Sequence, residues 1–167
     1  MSASTPITLS IAGSDSGGGA GIQADIKAIS ATGGYACTAI TALTAQNTLG
    51  VQAIHAVPPA FIRQQLDSVF SDLDVRAVKV GMLGDVATIR CVAEAVRDYQ
   101  PPAVIVDPVM VATSGDVLLE PAAVSSLRDE LLPLADLITP NLYEAQVLLG
   151  QRGAPLPETE AELRVMA

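Results

Sequence analysis

Several short stretches place polar or flexible residues at the end of an apolar run, where a side chain or bare backbone could meet a ligand. The first runs from Ile11 to Asp25, with glycine at 13, 17, 18, 19 and 21. Glycines let backbone approach a ligand closely, and a helix beginning near Ile22 would offer unpaired N–H groups to an anion. The spacing is not that of a standard nucleotide loop. A Rossmann pattern started at Gly17 meets Ile22 where its third glycine belongs, and a Walker A pattern from Gly13 meets Gly19 where lysine belongs. A tight turn with close helix–strand packing explains the same glycines. Asp25, one turn into the helix, either complements the helix dipole or aims an acceptor at whatever the loop holds.

Gln46 closes the run Leu43-Thr44-Ala45. Its primary amide sets a donor beside an acceptor, which matches the edge of an aminopyrimidine or similar heterocycle. As a turn residue it would instead bond local backbone. Asp107 follows the β-branched run Val104-Ile105-Val106, and Pro108 fixes an extended exit. Its carboxylate suits a magnesium or phosphate site, or a turn cap. Asn141 and Glu144 are spaced as an N-cap and its third helical residue. The same pair could act on a metal and its waters beside phosphates. Thr113-Ser114-Gly115-Asp116 is a polar turn or a flap. Gly81-Met82, Val109 and Met110 would give apolar contact to a flat ring, or fill the core.

These positions need a frame. Ile7–Ala12, Ala36–Ala45, Val51–Val57, Val75–Leu83, Ala103–Val106 and Leu137–Thr139 read as strands. Helices are expected from Ile22, from Pro58-Pro59 (with Ile62, Leu66, Val69 and Phe70 on one face), over Asp85–Tyr99, Pro121–Leu132 and Asn141–Leu149, and from Pro157 onward. Gln151–Pro157 reads as a polar link. Strands alternating with helices predict an α/β fold with mostly parallel pairing through right-handed crossovers. Ligands then gather at the carboxyl ends of the strands, where the glycine loop, Gln46, Gly81-Met82 and Asp107 all stand.

Composition agrees. Of 167 residues, 50% are hydrophobic, 16% charged and 3% aromatic. Such an aliphatic chain suits a sheet covered on both faces. The net charge of −9 argues against a nucleic-acid partner. No unbroken apolar run approaches a membrane span, and no basic n-region precedes an apolar stretch, so no membrane partner or signal peptide is expected. Cys37 and Cys91 read as buried free thiols in a reducing cytoplasm. His55, the one histidine, stands in a strand-like run, which disfavours a histidine-based triad or metal site.

Taken together, the stretches resemble a known family. Ala12-Gly13-Ser14-Asp15 with Gly18–Asp25 is similar to the opening signature of the hydroxymethylpyrimidine/phosphomethylpyrimidine kinases. So are Thr41–Asn47, Gln65–Val69, Lys79–Leu83, Asp107–Met110, Ser114-Gly115-Asp116 and Leu137–Asn141, in order over nearly the whole chain. The resemblance implies a ribokinase-like, three-layer α/β/α fold. It also implies ATP- and Mg2+-dependent phosphorylation of a thiamin-precursor pyrimidine, 4-amino-5-hydroxymethyl-2-methylpyrimidine, and then of its monophosphate. On that basis Gln46 would read the pyrimidine edge and Asp25 would bond the substrate. Gly13, Met82 and Val109 would line the ring site, and Asp107, Asn141 and Glu144 would serve magnesium and phosphate.

The chain departs from the family in two respects: the second glycine motif, Gly-Thr-Gly followed by Cys or Asp, does not occur in these residues, and neither do the family's later ATP-binding segments. In the family it forms an anion hole for the moving phosphoryl group and positions the proton acceptor. The chain is therefore expected to be the N-terminal portion of a single kinase domain, marginally stable alone, self-associating into a homo-oligomer, and without phosphoryl transfer of its own. A pyridoxal kinase is the alternative within the class. A non-catalytic pyrimidine-binding fragment is the alternative outside it.

Overall fold

The computed structural model describes residues 5–110, 119, 121–151, 153–157 and 159–166. The polar turn Thr113–Asp116 lies outside them. Strands are β1 (Ile7–Asp15), β2 (Tyr35–Asn47), β3 (Gly50–Ala56), β4 (Val75–Val80), β5 (Val104–Val106) and β6 (Leu137–Ile138). Helices are α1 (Gly21–Ala31), α2 (Pro59–Phe70), α3 (Val86–Tyr99), α4 (Pro121–Ser126), α5 (Leu142–Leu148) and α6 (Glu160–Met166).

One six-stranded sheet runs in the order β3-β2-β1-β4-β5-β6. Every pairing but one is parallel. The exception is β2–β3, where only Thr48 and Leu49 separate the strands, too few for a crossover, so they close as an antiparallel hairpin.

Strand alternation sorts the side chains into layers. Leu9 and Ile11 of β1, Val78 and Val80 of β4, and Val104 and Val106 of β5 all face one side and are buried. They pack with Ile62 and Leu66 of α2, Ile89, Val92, Ala93 and Val96 of α3, and Leu127 and Leu131 beyond α4. Ser10 and Lys79 alternate with these residues and meet α1 on the opposite side. The result is the expected three-layer α/β/α arrangement. Hydrophobic area taken from water, at about 25 cal/mol per Å², is what holds the α2/α3 side together.

Element ends differ from the sequence expectation where backbone chemistry overrides hydrophobicity. β1 continues through Gly13-Ser14-Asp15, because parallel pairing with Leu43 and Thr44 carries it across an irregularity after Ala12. β2 likewise continues to Asn47, so Gln46 is a strand residue rather than a turn residue. The helix begun by α4 becomes a π turn at Leu127–Leu131 and a 3-10 turn at Leu132–Leu134. Pro133 has no N–H to continue α-helical bonding. Cys37 and Cys91 are unpaired but only half-buried, each thiol donating to a backbone carbonyl, Thr8 and Pro59 respectively.

Candidate functional site

The glycine-rich loop at the end of β1 closes on the chain's own carboxylate. Asp15 is nearly buried and accepts from the N–H groups of Gly17 at 2.7 Å, Gly19 at 2.9 Å and Ala20 at 2.8 Å. Burial alone would raise the Asp15 carboxyl, but the donors from Gly17, Ala20, Gly19 and Gly18 outweigh it and hold it below its ordinary value. Three of the loop's own donors are thus already taken by the chain's own carboxylate. Gly21 shows why the loop needs glycine. It has φ +55°, and a β-carbon there would collide with the Gly13 carbonyl.

The same loop straps the end of β2. The Ser16 hydroxyl donates to the Gln46 carbonyl at 2.7 Å and accepts from the Gln46 N–H at 2.8 Å. Beside it the Thr44 hydroxyl lies 3.0 Å from the Ser14 carbonyl and 3.1 Å from Gln46 Oε1. Gln46 is half-buried, and the outer end of its amide has no partner among the described residues. Gly13 and Met82 meet across β1 and the segment after β4. A β-carbon on Gly13 would stand 2.9 Å from the Met82 methyl. The Met82 carbonyl is pinned by the buried Thr41 hydroxyl at 2.7 Å. Gln46, Gly13 and Met82 therefore share one neutral rim at the strand ends.

A charged group stands beside it. Lys79 extends along the α1 face over Gly81, where a β-carbon would come within 3.1 Å of its Nζ. Its ammonium donates to Asp25 Oδ2 at 3.2 Å and lies 3.8 Å from Asp107 Oδ2. Asp25 also accepts from the buried Ser10 hydroxyl at 2.6 Å. Asp25 thus turns to β1 and β4 on the sheet face beneath α1 instead of capping its own helix or facing into the glycine loop. Burial pushes the Asp107 carboxyl above its ordinary value. Lys79 opposes that, while Glu144 and Asp25 reinforce it. Asp25 and Asp107 share one ammonium and Glu144 adds its charge to Asp107, which leaves an excess of negative charge.

Asn141 and Glu144 form the expected capping box. The Asn141 side chain accepts from the Glu144 N–H at 3.0 Å, and Glu144 Oε2 accepts from the Asn141 N–H at 2.9 Å. The other Glu144 oxygen accepts from the Met110 N–H at 3.1 Å, which ties α5 to the segment after β5. Glu144 is 3% exposed, so Asp107 presents the more accessible carboxylate of the two. Val109 is half-buried beside Asp107, whose carbonyl accepts from its N–H at 2.8 Å. Met110 is core.

The sequence reading passed over Lys79, Ser10, Asp15, Ser16 and Thr44 as site residues. Lys79 had a usable signal, since a cation inside the apolar run Val78-Lys79-Val80 must find partners when the strand is buried. The hydroxyls had none. A cleft of about 400 Å³ lies elsewhere, between α5 and α6, lined by Gln146, Leu149, Leu156 and Val165 among others, and contains none of these residues.

A parallel α/β sheet with a neutral amide-bearing rim and an acidic rim side by side at its carboxyl ends defines a small-molecule site of the α/β class. The family model described as "Phosphomethylpyrimidine kinase" matches residues 15–167. The chain belongs to that family. It is 58% identical over 147 residues to a hydroxymethylpyrimidine/phosphomethylpyrimidine kinase of Rhizobium meliloti, covering 88% of this chain and 55% of that protein. Among solved structures it matches the phosphomethylpyrimidine kinase of Clostridium difficile 630 with a TM-score of 0.89 at 43% identity, over 97% of this chain and 68% of that one. It also matches an ADP complex of Bacillus subtilis pyridoxal kinase with a TM-score of 0.86 at 37% identity, over 98% of this chain and 61% of that one. The chain spans about half the length, or less, of the curated relatives it matches. No helix of the described residues is long and apolar enough to cross a membrane.

Proposed function

We propose that this protein is a cytoplasmic kinase that phosphorylates the hydroxymethyl group of 4-amino-5-hydroxymethyl-2-methylpyrimidine, and then its monophosphate, in thiamin biosynthesis. The observation that carries the reading is the 58% identity to a relative of that name, set against 37% to the pyridoxal kinase. The rim supports it chemically. Gln46 offers an aminopyrimidine edge its complementary donor and acceptor, while Gly13, Met82 and Val109 leave room for a flat ring. Asp25, held by Ser10 and Lys79, keeps lone pairs for the substrate hydroxyl.

The acidic half suits Mg2+ delivered with phosphates. Among the described residues no three acidic, His or Cys side chains converge to hold a metal by themselves. Asp107 nevertheless carries a partly buried negative charge that a cation would relieve. Magnesium takes one or two carboxylates, waters and substrate phosphates, so Asp107 would hold it directly, and Asn141 and Glu144 through water. Bound Mg-ATP supplies the phosphoryl group and neutralises its charge. The protein's own share is to orient the hydroxymethyl group and keep the acidic half in place. A second copy of the chain is the proposed macromolecular partner, because the hairpin β2–β3 exposes Leu49 at 93% and Ile54 at 59%.

A competition assay, run on a chain extended to the full length of its relatives, tests the assignment. With Mg-ATP, the pyrimidine and pyridoxal are offered together and each product is quantified. The pyrimidine product should dominate. A preference for pyridoxal would move the protein to the other activity, which the structural match to pyridoxal kinases keeps as the second reading.

A further inference from the structure

We propose that Thr44 is a specificity-determining positioning residue, whose hydroxyl fixes which way round the Gln46 amide faces the ligand and so selects a ring bearing an exocyclic amino group over the same ring bearing an oxo group. The inference rests on the reading of Gln46 as the residue that meets the ring edge.

Thr44 Oγ1 stands 3.0 Å from the Ser14 carbonyl and 3.1 Å from Gln46 Oε1, two acceptors facing one hydroxyl. A hydroxyl has one proton to give and lone pairs to receive, whereas a backbone carbonyl can only accept. Both contacts are satisfied together in one arrangement. The Thr44 proton goes to Ser14, and a half-turn of the Gln46 amide puts its NH2 in place of Oε1 against the Thr44 oxygen. Amide oxygen and nitrogen exchange by a half-turn about the last torsion without change of shape, so the hydrogen-bond network decides their order. Ser16 fixes the backbone from which the amide reaches, through the Gln46 N–H and carbonyl at 2.8 and 2.7 Å.

With one N–H used on Thr44, the amide keeps its oxygen and its other N–H for the ligand, in one fixed order. A 4-aminopyrimidine edge sets an amino donor beside a ring-nitrogen acceptor. The 4-oxo ring sets an oxo acceptor beside a ring N–H donor, which is the reverse. A pinned amide fits the first and leaves two mismatched polar pairs with the second, and unpaired buried polar groups discriminate strongly. An unpinned amide could flip and serve either ring. Turning the oxo ring over would restore the match, but it would carry the hydroxymethyl arm away from the acidic half of the rim.

The test is a set of calorimetric titrations without nucleotide, using 4-amino-5-hydroxymethyl-2-methylpyrimidine and its 4-oxo counterpart. Wild-type protein should prefer the amino ring. Thr44→Val keeps the β-branched shape and removes the hydroxyl. It should lower that preference by about tenfold, the scale of one hydrogen bond. Thr44→Ser keeps the hydroxyl and should retain the preference. If Thr44→Val does not give a cooperative thermal transition, Thr44→Ala makes the same comparison. A preference unchanged in Thr44→Val but abolished in Gln46→Ala would overturn the role of Thr44 and leave Gln46 as the reader. A preference unchanged in Gln46→Ala would overturn both.

Discussion

The two halves of the strand-end rim solve opposite problems. At the ends of β1 and β2 the polar groups form a closed network: Asp15 is satisfied by backbone N–H groups and Gln46 is clamped by Ser16. The outer end of the Gln46 amide is left without a partner among the described residues. At the ends of β4 and β5 the charges do not balance. Lys79 serves Asp25 and Asp107, Glu144 stands nearby, and burial raises the Asp107 carboxyl. A saturated network is rigid and suits reading the shape of a neutral ring. An electrostatically incomplete one suits ligands that bring their own charge, such as a cation with phosphates.

The largest effect is expected from breaking the closed half. Gly21→Ala places a β-carbon against the Gly13 carbonyl at a left-handed φ of +55°. It should cost about 3 kcal/mol of stability in urea denaturation, combining steric clash with backbone strain. Gly33, also left-handed at φ +86° but with nothing within 4 Å of an added β-carbon, makes the control. Gly33→Ala should cost clearly less, about 1 kcal/mol.

Next comes the open half. Lys79→Met keeps the length of the side chain but leaves Asp25 and Asp107 facing each other without a cation. Lys79 and Asp25 side chains are 25% and 16% exposed, between surface and core. A loss of about 2 kcal/mol is expected, between the values of surface and buried pairs. Lys79→Arg should recover part of it. An unchanged denaturation midpoint in Lys79→Met would mean that the carboxylates do not depend on the ammonium.

The smallest effect has the opposite sign. Because burial lifts the Asp107 pKa, the ionised side chain opposes folding above that pKa. The opposition fades as pH falls toward the unfolded value, near 4. Asp107→Asn should therefore be slightly more stable than wild type at pH 7, by about half a kcal/mol at most given its exposure. The advantage should vanish below about pH 4. A variant less stable at pH 7 would show that Lys79 outweighs burial.

Much of this frame is legible in the residues. The apolar runs Ile7–Ala12 and Val104–Val106 mark strands, and Ile89, Val92, Ala93 and Val96 mark one face of α3, because burial is periodic. Asn141 and Glu144 are legible as a capping box for the same reason of fixed spacing. The partners of the acids are not. Asp15 and Asp25 are both near the glycine loop in sequence, yet Asp15 fills it and Asp25 turns to Ser10 and Lys79 on the sheet face beneath α1. That difference depends on the register Ser10↔Lys79 between β1 and β4, which no local pattern encodes. The extension of β1 through Gly13-Ser14-Asp15 is hidden likewise. Pairing with β2 determines it, against the low strand preference of glycine and aspartate.

Calorimetric titration of 4-amino-5-hydroxymethyl-2-methylpyrimidine, without nucleotide, into wild type, Gln46→Ala and Asp107→Asn tests the division of labour most directly. Gln46→Ala should weaken binding by about 1–3 kcal/mol, since it leaves a ring edge unpaired, while Asp107→Asn should bind as wild type does. Equal weakening by both substitutions, or none from Gln46→Ala in a folded protein, would contradict the account of a neutral half that reads the ring beside an acidic half reserved for phosphate and its cation.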